Sequence, residues 1–350
     1  MAASKNPGTV LILGVTGQDG ALLAAQLLSA GWKVLGGFRR GHASKLWRLE
    51  ELGVLERITL VNLNLHEPHQ LVELLAAHRP DAIYHLAGES FVADSFQQPR
   101  SIIETNALGT LNVLEAIRLS VPDAALFFAS SAEIYGAPRD NTPLDENSPY
   151  RPTNPYGLSK LTAQHLVAIY REQHGLRAVN GILFNHESPY RARNFVTRKI
   201  TYNLARLHVD GGAPMQLGDL SSGRDWGSAI DYAAAMPMTL ATSPPQDYVF
   251  ATGRATTVKA FLTMAAEAAG FDPHFDGEGI ATTCRDRKSG LMLATVAPQY
   301  FRKFDTPPLI GNPAHLKLAV GFKGSREIVA IATEMVQADI DRRKRGAVNV

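Results

Sequence analysis

Residues 9–20 read Thr-Val-Leu-Ile-Leu-Gly-Val-Thr-Gly-Gln-Asp-Gly, an apolar run that leads directly into Gly14, Gly17 and Gly20. The run has the length of a buried β-strand, and the glycine segment opens the helix predicted to follow. Glycines at such a turn let the backbone bend sharply and approach a pyrophosphate, while the unpaired amides of the helix N-terminus bind its oxygens. We therefore predict a dinucleotide-binding turn, against the alternative of an ordinary strand-to-helix connection.

The alternation that starts at this turn continues through the first half of the chain. Apolar runs that predict strands occupy residues 9–13, 33–37, 58–62, 82–86, 125–130 and 178–184. Amphipathic segments that predict helices occupy residues 71–77, 108–119 and 156–174. Nearly continuous apolar strands are expected where helices cover both faces of a parallel sheet. The fold class predicted for residues 1–184 is therefore α/β, a doubly wound parallel sheet of the Rossmann type.

Beyond residue 184 the alternation becomes irregular. Helices are predicted at residues 196–208 and 257–269, among loops that contain glycine and proline. We predict that residues 185–350 form mainly a smaller mixed α/β substrate-binding lobe, with some segments returning to the first domain. A ligand cleft is expected between the two, at the carboxyl ends of the strands. Residues 277–295 give no readable pattern, and no element is predicted there.

The composition limits the classes of partner. The formal net charge of the 350 residues is only +2, which argues against nucleic acid or an anionic membrane as the main partner. No segment approaches the roughly 20 apolar residues that a membrane-spanning helix needs. A single cysteine, Cys284, fits a reducing compartment, so a cytoplasmic protein is expected. His66, Glu67 and His69 lack a further ligand, and no metal is predicted.

Two arginines at the end of the second strand indicate the type of dinucleotide. An acidic residue there would bond the ribose of NAD, whereas Arg39 and Arg40 suit a 2′-phosphate. NADP is therefore predicted, with a solvated basic pair as the alternative. The predicted cofactor contacts, which include Asn64 after the third strand, are Gly14, Thr16, Gly17, Gln18, Asp19, Gly20, Arg39, Arg40, Asn64, Leu86, Ala87, Tyr156 and Lys160.

Tyr156 and Lys160 predict oxidation of a substrate alcohol. They are four residues apart on a predicted helix, so both side chains emerge on one face. Tyrosine, with a pKa of about 10, is a poor base, but an adjacent ammonium and a positively charged nicotinamide both favour the phenolate. Ser131, at the end of the fifth strand, offers a hydroxyl to the reacting oxygen. Tyr156 is thus the predicted general base.

These motifs, together with residues 85–88 (His-Leu-Ala-Gly) and Asn106, resemble the extended short-chain dehydrogenase/reductase family over most of the chain. Members of that family act on nucleotide-activated sugars. The resemblance implies that Ser131, Tyr156 and Lys160 form the catalytic group.

Longer runs resemble one group within that family, the GDP-mannose 4,6-dehydratases. They are residues 14–20, 38–40, 179–189, 194–199 and 223–227. Glu133 would then be a further catalytic residue. Once C4 of the sugar is a ketone, a carboxylate can remove the acidified C5 proton while the C6 hydroxyl leaves as water. The alternative is a glutamate that caps a turn or pairs with an arginine.

The same resemblance implies a set of contacts to a GDP-sugar. Clustered cations suit a diphosphate, which needs charge-assisted donors, although any one arginine can instead form a structural ion pair. The implied substrate contacts are Ser90, Asn185, Arg191, Lys199, Arg224 and Arg302. The group forms dimers and tetramers, so a homodimer or homotetramer is expected.

Departures from the group keep the reaction open. Ala132 replaces a usual serine and removes a hydroxyl that could assist the C6 leaving group. Asp305 shortens a carboxylate, Pro307 removes another, and Glu89 replaces a glutamine. The main prediction is 4,6-dehydration of GDP-mannose or GDP-manno-heptose. The alternatives are a GDP-4-keto-6-deoxy-sugar reductase or epimerase, and a non-catalytic nucleotide-sugar sensor.

Overall fold

The protein is described from a computed structural model, which covers residues 8–39, 41, 46–138, 140–301, 307–324 and 326–347. Two predicted contacts, Arg40 and Arg302, lie outside the described residues, as does Asp305. The strands are β1 Thr9–Leu13, β2 Lys33–Phe38, β3 Thr59–Asn62, β4 Ala82–His85, β5 Ala125–Ser131, β6 Ala178–Leu183, β7 Asn185–Glu187, β8 Met215–Leu217, β9 Gly223–Arg224, β10 Trp226–Ser228, β11 Tyr248–Phe250, β12 Thr256–Thr257, β13 Pro273–Asp276, β14 Thr283–Asp286 and β15 Met292–Val296.

The helices complete the element order. They are α1 Gln18–Ser29, α2 Trp47–Glu51, α3 Pro68–His78, α4 Val92–Ser95, α5 Pro99–Ile103, α6 Gly109–Ser120, α7 Pro155–His174, α8 Val196–Val209, α9 Ala229–Leu240, α10 Val258–Ala268, α11 Ala314–Val320 and α12 Ile328–Lys344. A π-helical turn, Glu104–Leu108, joins α5 to α6.

The centre of the molecule is a seven-stranded sheet in the order β11-β6-β5-β4-β1-β2-β3. Every pairing within it is parallel. Helices α1 and α9 pack together on one face, and α3, α6 and α7 cover the other. The prediction of a doubly wound parallel sheet is confirmed, because helices cover both faces of the parallel sheet. The edge strand β3 is the exception to full burial, with Thr59 and Asn62 exposed.

Helix α7 shows how local sequence fixes the element that carries Tyr156. Asn154 caps its N-terminus by accepting a hydrogen bond from the Gly157 amide at 2.8 Å, and Pro155 occupies the first helical position. The helix ends at Gly175, whose φ of 69° is in the left-handed region. These are favoured residues for a helix start and stop. They define the two ends of α7, which packs against β5 and β6.

A second core lies beyond the large sheet. Strands β13, β14, β15 and β8 form a four-stranded sheet, and α8, α10 and α12 pack together beside it. Residues 277–295, for which no element was predicted, include a 3-10 turn at Gly279–Ala281 as well as β14 and β15. Strand β11 and helix α9 follow residue 184 in the chain but belong to the large sheet and its helical layer.

No helix of the described ranges combines the length and apolar composition that crossing a membrane requires. Within the same ranges, no group of three His, Cys, Asp or Glu side chains is arranged to hold a metal ion. Pro68, which lies between Glu67 and His69, is the first residue of α3, a position that proline favours.

Candidate active site

A cavity of about 400 Å³ opens at the carboxyl ends of the central strands. It is the convergence point of most predicted site residues. Those that line it are Gly14, Thr16, Gly17, Gln18, Asp19, Gly20, Arg39, Asn64, Leu86, Ala87, Ser90, Ser131, Glu133, Tyr156, Lys160, Asn185 and Arg191. Lys199 and Arg224 are not part of this lining. Segments separated by more than half of the chain therefore share one pocket.

The glycine turn forms a tight backbone cradle at one end of the cavity. Gly14 has a φ of 88°, and a Cβ atom there would lie 2.8 Å from the Ala87 amide nitrogen. A Cβ on Gly20 would lie 2.4 Å from the Gly14 carbonyl oxygen. Gly17 precedes the first residue of α1, and no side chain caps its amides. The cradle fits a dinucleotide diphosphate. The uncapped amides at the start of α1 can bind phosphate oxygens, and the glycines leave room for the close backbone packing of the turn.

The polar side chains of the turn contact β7 and the residue that follows it. Gln18 Nε2 donates to the His186 carbonyl at 3.1 Å, and Ser188 Oγ donates to Gln18 Oε1 at 2.8 Å. Asp19 Oδ2 pairs with His186 Nε2 at 2.9 Å. Burial alone would raise the pKa of Asp19, but the charge and hydrogen bond of His186 lower it below its usual value. Gln18 and Asp19 thus line the cavity while fastening its two walls together.

Tyr156, Ser131 and Lys160 meet where α7 passes the end of β5. The Ser131 hydroxyl hydrogen-bonds the Tyr156 side chain, and Lys160 Nζ donates to the Ala129 carbonyl at 2.8 Å. Lys160 Nζ also lies 4.9 Å from the centroid of the Phe128 ring. The helix and strand therefore present a hydroxyl, a phenol and an ammonium to the same part of the cavity.

Burial controls the protonation of Tyr156 and Lys160. It raises the pKa of Tyr156 to about 12, against a smaller lowering by the hydrogen bond from Ser131. It lowers the pKa of Lys160 to about 8. Both shifts favour the neutral forms, as expected when a charge loses its water. The predicted phenolate therefore needs a further positive charge close to Tyr156.

Glu133 lies in the same wall of the cavity. The Asn154 side chain, which caps α7, also donates to Glu133 Oε2 at 2.8 Å. Burial raises the pKa of Tyr156, and the negative charge of Glu133 adds to this effect. Burial lowers the pKa of Arg224, and the charge of Glu133 opposes that lowering. One carboxylate oxygen is thus fixed by an amide, and the carboxylate is close to both the phenol and a guanidinium.

Comparison with known proteins decides the family. The model of the family described as GDP-mannose 4,6 dehydratase matches residues 11–335. The chain belongs to this family. The GDP-mannose 4,6-dehydratase of Yersinia enterocolitica is 36% identical over 354 residues, covering 96% of this chain and 95% of that protein. The protein named GDP-mannose 4,6 dehydratase 2 in Caenorhabditis elegans is 36% identical, covering 97% of this chain and 91% of its own.

Solved structures agree with the fold expected of the GDP-mannose 4,6 dehydratase family. The dTDP-glucose 4,6-dehydratase DesIV of Streptomyces venezuelae, solved with NAD and TYD bound, superposes with a TM-score of 0.80 at 21% identity, covering 97% of this chain and 98% of its own. RMD of Pseudomonas aeruginosa, complexed with NADPH, gives 0.78 at 23% identity, covering 95% and 99%. At these identities the likeness shows the fold.

The residues predicted to contact the substrate divide into those that line the cavity and those that lie outside its lining. Ser90 and Asn185 line the cavity, and so does Arg191. The Arg191 guanidinium stacks 3.6 Å over the centroid of the Phe195 ring. Lys199 lies on α8, and its Nζ is 4.3 Å from the centroid of the Tyr300 ring.

Arg224 occupies β9, and its Nη1 donates to Ser222 Oγ at 2.8 Å. The charge of Glu133, which lines the cavity, acts on Arg224, but Arg224 is not part of the lining. Arg302 falls outside the described residues.

Two residues that line the cavity, Arg48 and His186, and two that support its walls, Asn154 and Asn106, were not among the predicted site residues. Arg48 lines the cavity and donates to the Thr16 carbonyl at 3.1 Å, and His186 pairs with Asp19. Asn154 was a recognisable helix cap, but its contact with Glu133 is tertiary. Asn106, in the π-helical turn, exchanges two hydrogen bonds with the Glu89 backbone. Only Asn106 carried a signal, through the family resemblance.

Proposed function

We propose that this chain catalyses the 4,6-dehydration of a GDP-sugar, with GDP-mannose as the substrate and GDP-manno-heptose as the variant. The observation that carries the proposal is the position of Glu133. This carboxylate lines the same cavity as Tyr156, and its negative charge adds to the effect of burial in raising the pKa of Tyr156. A reductase needs the phenol but has no use for a base at C5. The names of the curated relatives also support dehydration.

The residues divide the work as follows. A nicotinamide dinucleotide held in the glycine cradle would supply hydride chemistry, with one hydride taken from C4 and the same hydride returned at C6. Tyr156 takes the proton of the C4 hydroxyl, and Ser131 donates a hydrogen bond to the same oxygen. Glu133 removes the C5 proton and gives a proton to the departing C6 hydroxyl, which leaves as water. As hydride adds at C6, C5 takes a proton from solvent through Glu133, and Tyr156 releases the C4 hydroxyl proton to solvent. Lys160 adds the positive charge that favours deprotonated Tyr156. The net change in the sugar is the loss of one water.

The experiment that tests this function is incubation of the protein with GDP-mannose and a trace of NADP. The expected result is a 4-keto-6-deoxy product with no net change in NADPH. No product from GDP-mannose, together with NADPH consumption in proportion to product when a GDP-4-keto-6-deoxy sugar and NADPH are supplied, would instead identify the reductase. Tight binding of GDP-mannose without product would identify the sensor.

We also propose NADP as the cofactor, held mainly by residues 1–184, with the sugar nucleotide held mainly by residues 185–350. Arg39 lines the cavity at the end of β2 and supports this choice. Replacing Arg39 with Ala is expected to weaken NADP binding about tenfold, because a phosphate–guanidinium pair is lost. NAD binding should change little. Dissociation constants for both dinucleotides measure this, and an equal loss for the two would contradict the assignment.

The activity should depend on the protonation of Lys160. Since burial lowers the pKa of this ammonium to about 8, we expect kcat/KM to fall as the pH rises through that value. Above it, Lys160 is neutral and no longer favours deprotonated Tyr156. A full pH profile measures this, with Lys160→Arg as the comparison, because arginine keeps its charge and should move the descending limb to higher pH. An unchanged limb would contradict the role of Lys160.

A homodimer or homotetramer is proposed for the assembly. Large apolar side chains are exposed on neighbouring helical segments, α7 and the π-helical turn; they are Leu108, Leu158 and Ile169. Exposed apolar groups gathered on adjacent helices are typical of a surface that another subunit covers. Sedimentation analysis of the purified protein tests this. The expected cytoplasmic location stays a prediction.

A further inference from the structure

The loop of residues 189–191 is held by buried arginines from three separate helices. Each carbonyl of this loop accepts a hydrogen bond from at least one of them. The bonds are Arg48 Nε to Tyr190 O at 2.7 Å, Arg198 Nη1 to Pro189 O at 2.7 Å and to Arg191 O at 2.9 Å, and Arg342 Nη1 to Pro189 O at 2.8 Å. The donors lie in α2, α8 and α12. The loop therefore has little freedom to move.

Arg48 connects this loop to the glycine turn. Besides bonding Tyr190 O, it donates through Nη1 to the Thr16 carbonyl at 3.1 Å. Its planar guanidinium thus fixes the distance between the glycine turn and the loop that carries Arg191, both of which contribute residues to the cavity lining. A lysine at this position would donate from one nitrogen only, and could not reach both carbonyls in the geometry that the planar guanidinium allows.

The three arginines form an electrostatically costly cluster. All are at most 6% exposed, and their Cζ atoms lie 4.6, 5.9 and 5.2 Å from the Trp47 ring centroid for Arg48, Arg198 and Arg342. Asp339 and Glu51 pair with Arg198 and Arg342. Burial, and then the charges of the other two arginines, lower the pKa of Arg48 to about 10. Buried charges of this kind are a poor source of stability, so a positioning role is the better explanation.

The loop ends in Arg191, whose guanidinium lines the cavity. Its Nε atom lies 3.3 Å from Glu187 Oε2, and its charge acts on Asp19 and Tyr156. Arg191 therefore lines the same cavity as the glycine turn and the reacting phenol. An arginine at that point suits the diphosphate of a bound ligand, either the dinucleotide or the GDP-sugar.

We propose that Arg48, Arg198 and Arg342 form a clamp that fixes the loop of residues 189–191 against the glycine turn. Within this clamp Arg48 is a positioning residue, which holds Arg191 ready for a ligand diphosphate. The proposal rests on the proposed function, since both ligands named there carry a diphosphate. Preorganisation of this kind improves affinity because the ligand does not have to order the loop.

The test measures binding without turnover. Dissociation constants for NADP and for GDP are determined by calorimetry for the wild type, Arg48→Lys, Arg191→Gln and the double variant. Arg171→Lys is the matched control, because Arg171, like Arg48, donates to a backbone carbonyl and to a second acceptor, here Ala178 O and the Asp247 carboxylate, but does not line the cavity. Thermal unfolding reports the stability of every variant.

Arg191→Gln is expected to weaken one of the two ligands, which identifies the source of the diphosphate. Arg48→Lys should weaken the same ligand about tenfold. The double variant should bind that ligand no worse than Arg191→Gln alone, because the two residues act through one contact. The control should bind both ligands within about twofold of the wild type.

The proposal is overturned if Arg48→Lys leaves both affinities unchanged, if its effect multiplies with that of Arg191→Gln, or if Arg171→Lys causes the same loss. It is also overturned if Arg191→Gln affects neither ligand. Should Arg48→Lys fail to fold, Arg342→Lys takes its place, with the same expected loss through Pro189 O. A wild type that binds NADP but not GDP contradicts the proposed function, and the clamp is then judged on NADP alone.

Discussion

Replacing Glu133 with Gln is expected to reduce kcat for 4,6-dehydration by about three orders of magnitude, the usual range for loss of a general base. Glutamine keeps the volume and can still bond Asn154, which in the wild type donates to Glu133 Oε2 at 2.8 Å. It cannot accept the C5 proton. The measurement is product formation from GDP-mannose in D2O, where the wild type should introduce deuterium at C5 and the variant should not.

Glu89→Gln is the matched control for this experiment. Glu89 is the other glutamate that lines the cavity, and its Oε1 accepts a hydrogen bond from Ser101 at 3.2 Å. Its replacement should leave kcat within about threefold of the wild type. If Glu133→Gln retained full dehydration, or if Glu89→Gln lost as much activity, the assignment of Glu133 as the C5 base would be wrong.

Replacing Tyr156 with Phe should cost about a thousandfold in kcat, because the proton of the C4 hydroxyl loses its acceptor. Affinities for GDP and NADP should stay within about threefold, since only one hydroxyl is removed. The variant also loses the hydrogen bond between Tyr156 and Ser131. Steady-state kinetics and calorimetry on the same preparation separate the two effects.

Tyr150→Phe controls for the loss of a tyrosine hydroxyl near α7. Tyr150 donates to the Glu146 carbonyl at 3.1 Å and does not line the cavity, so its replacement should leave kcat almost unchanged. A Tyr156→Phe protein with wild-type activity would exclude the alcohol-oxidising group. A wild type that binds both ligands but never turns over would instead favour the sensor.

The sheet and its helices were predictable because their signals are local. Strand β1 has the predicted limits, and β5 and α7 differ from prediction by a single residue at one end. Period and length of apolar runs depend only on neighbouring residues. Residues 277–295 gave no such signal, because their short strands are separated by glycine-containing turns and take their shape from the second core.

The catalytic group was also accessible from the sequence, but its electrostatics were not. The spacing of Tyr156 and Lys160 predicts a shared helix face. It does not reveal that burial moves their pKa values to about 12 and about 8. Desolvation depends on every atom that surrounds a group, and most of those atoms belong to distant parts of the chain.

By itself, the sequence determined the doubly wound sheet, the glycine turn and the residue types that carry the chemistry, because periodicity and motif spacing act over a few residues. Only the tertiary structure decided which residues join them. Asp19 hydrogen-bonds His186, which is 167 residues away in the sequence, and Arg48 hydrogen-bonds the carbonyl of Tyr190, which is 142 residues away. Neither contact has a local signature, since hydrogen bonds between a side chain and a remote backbone are set by packing of whole elements.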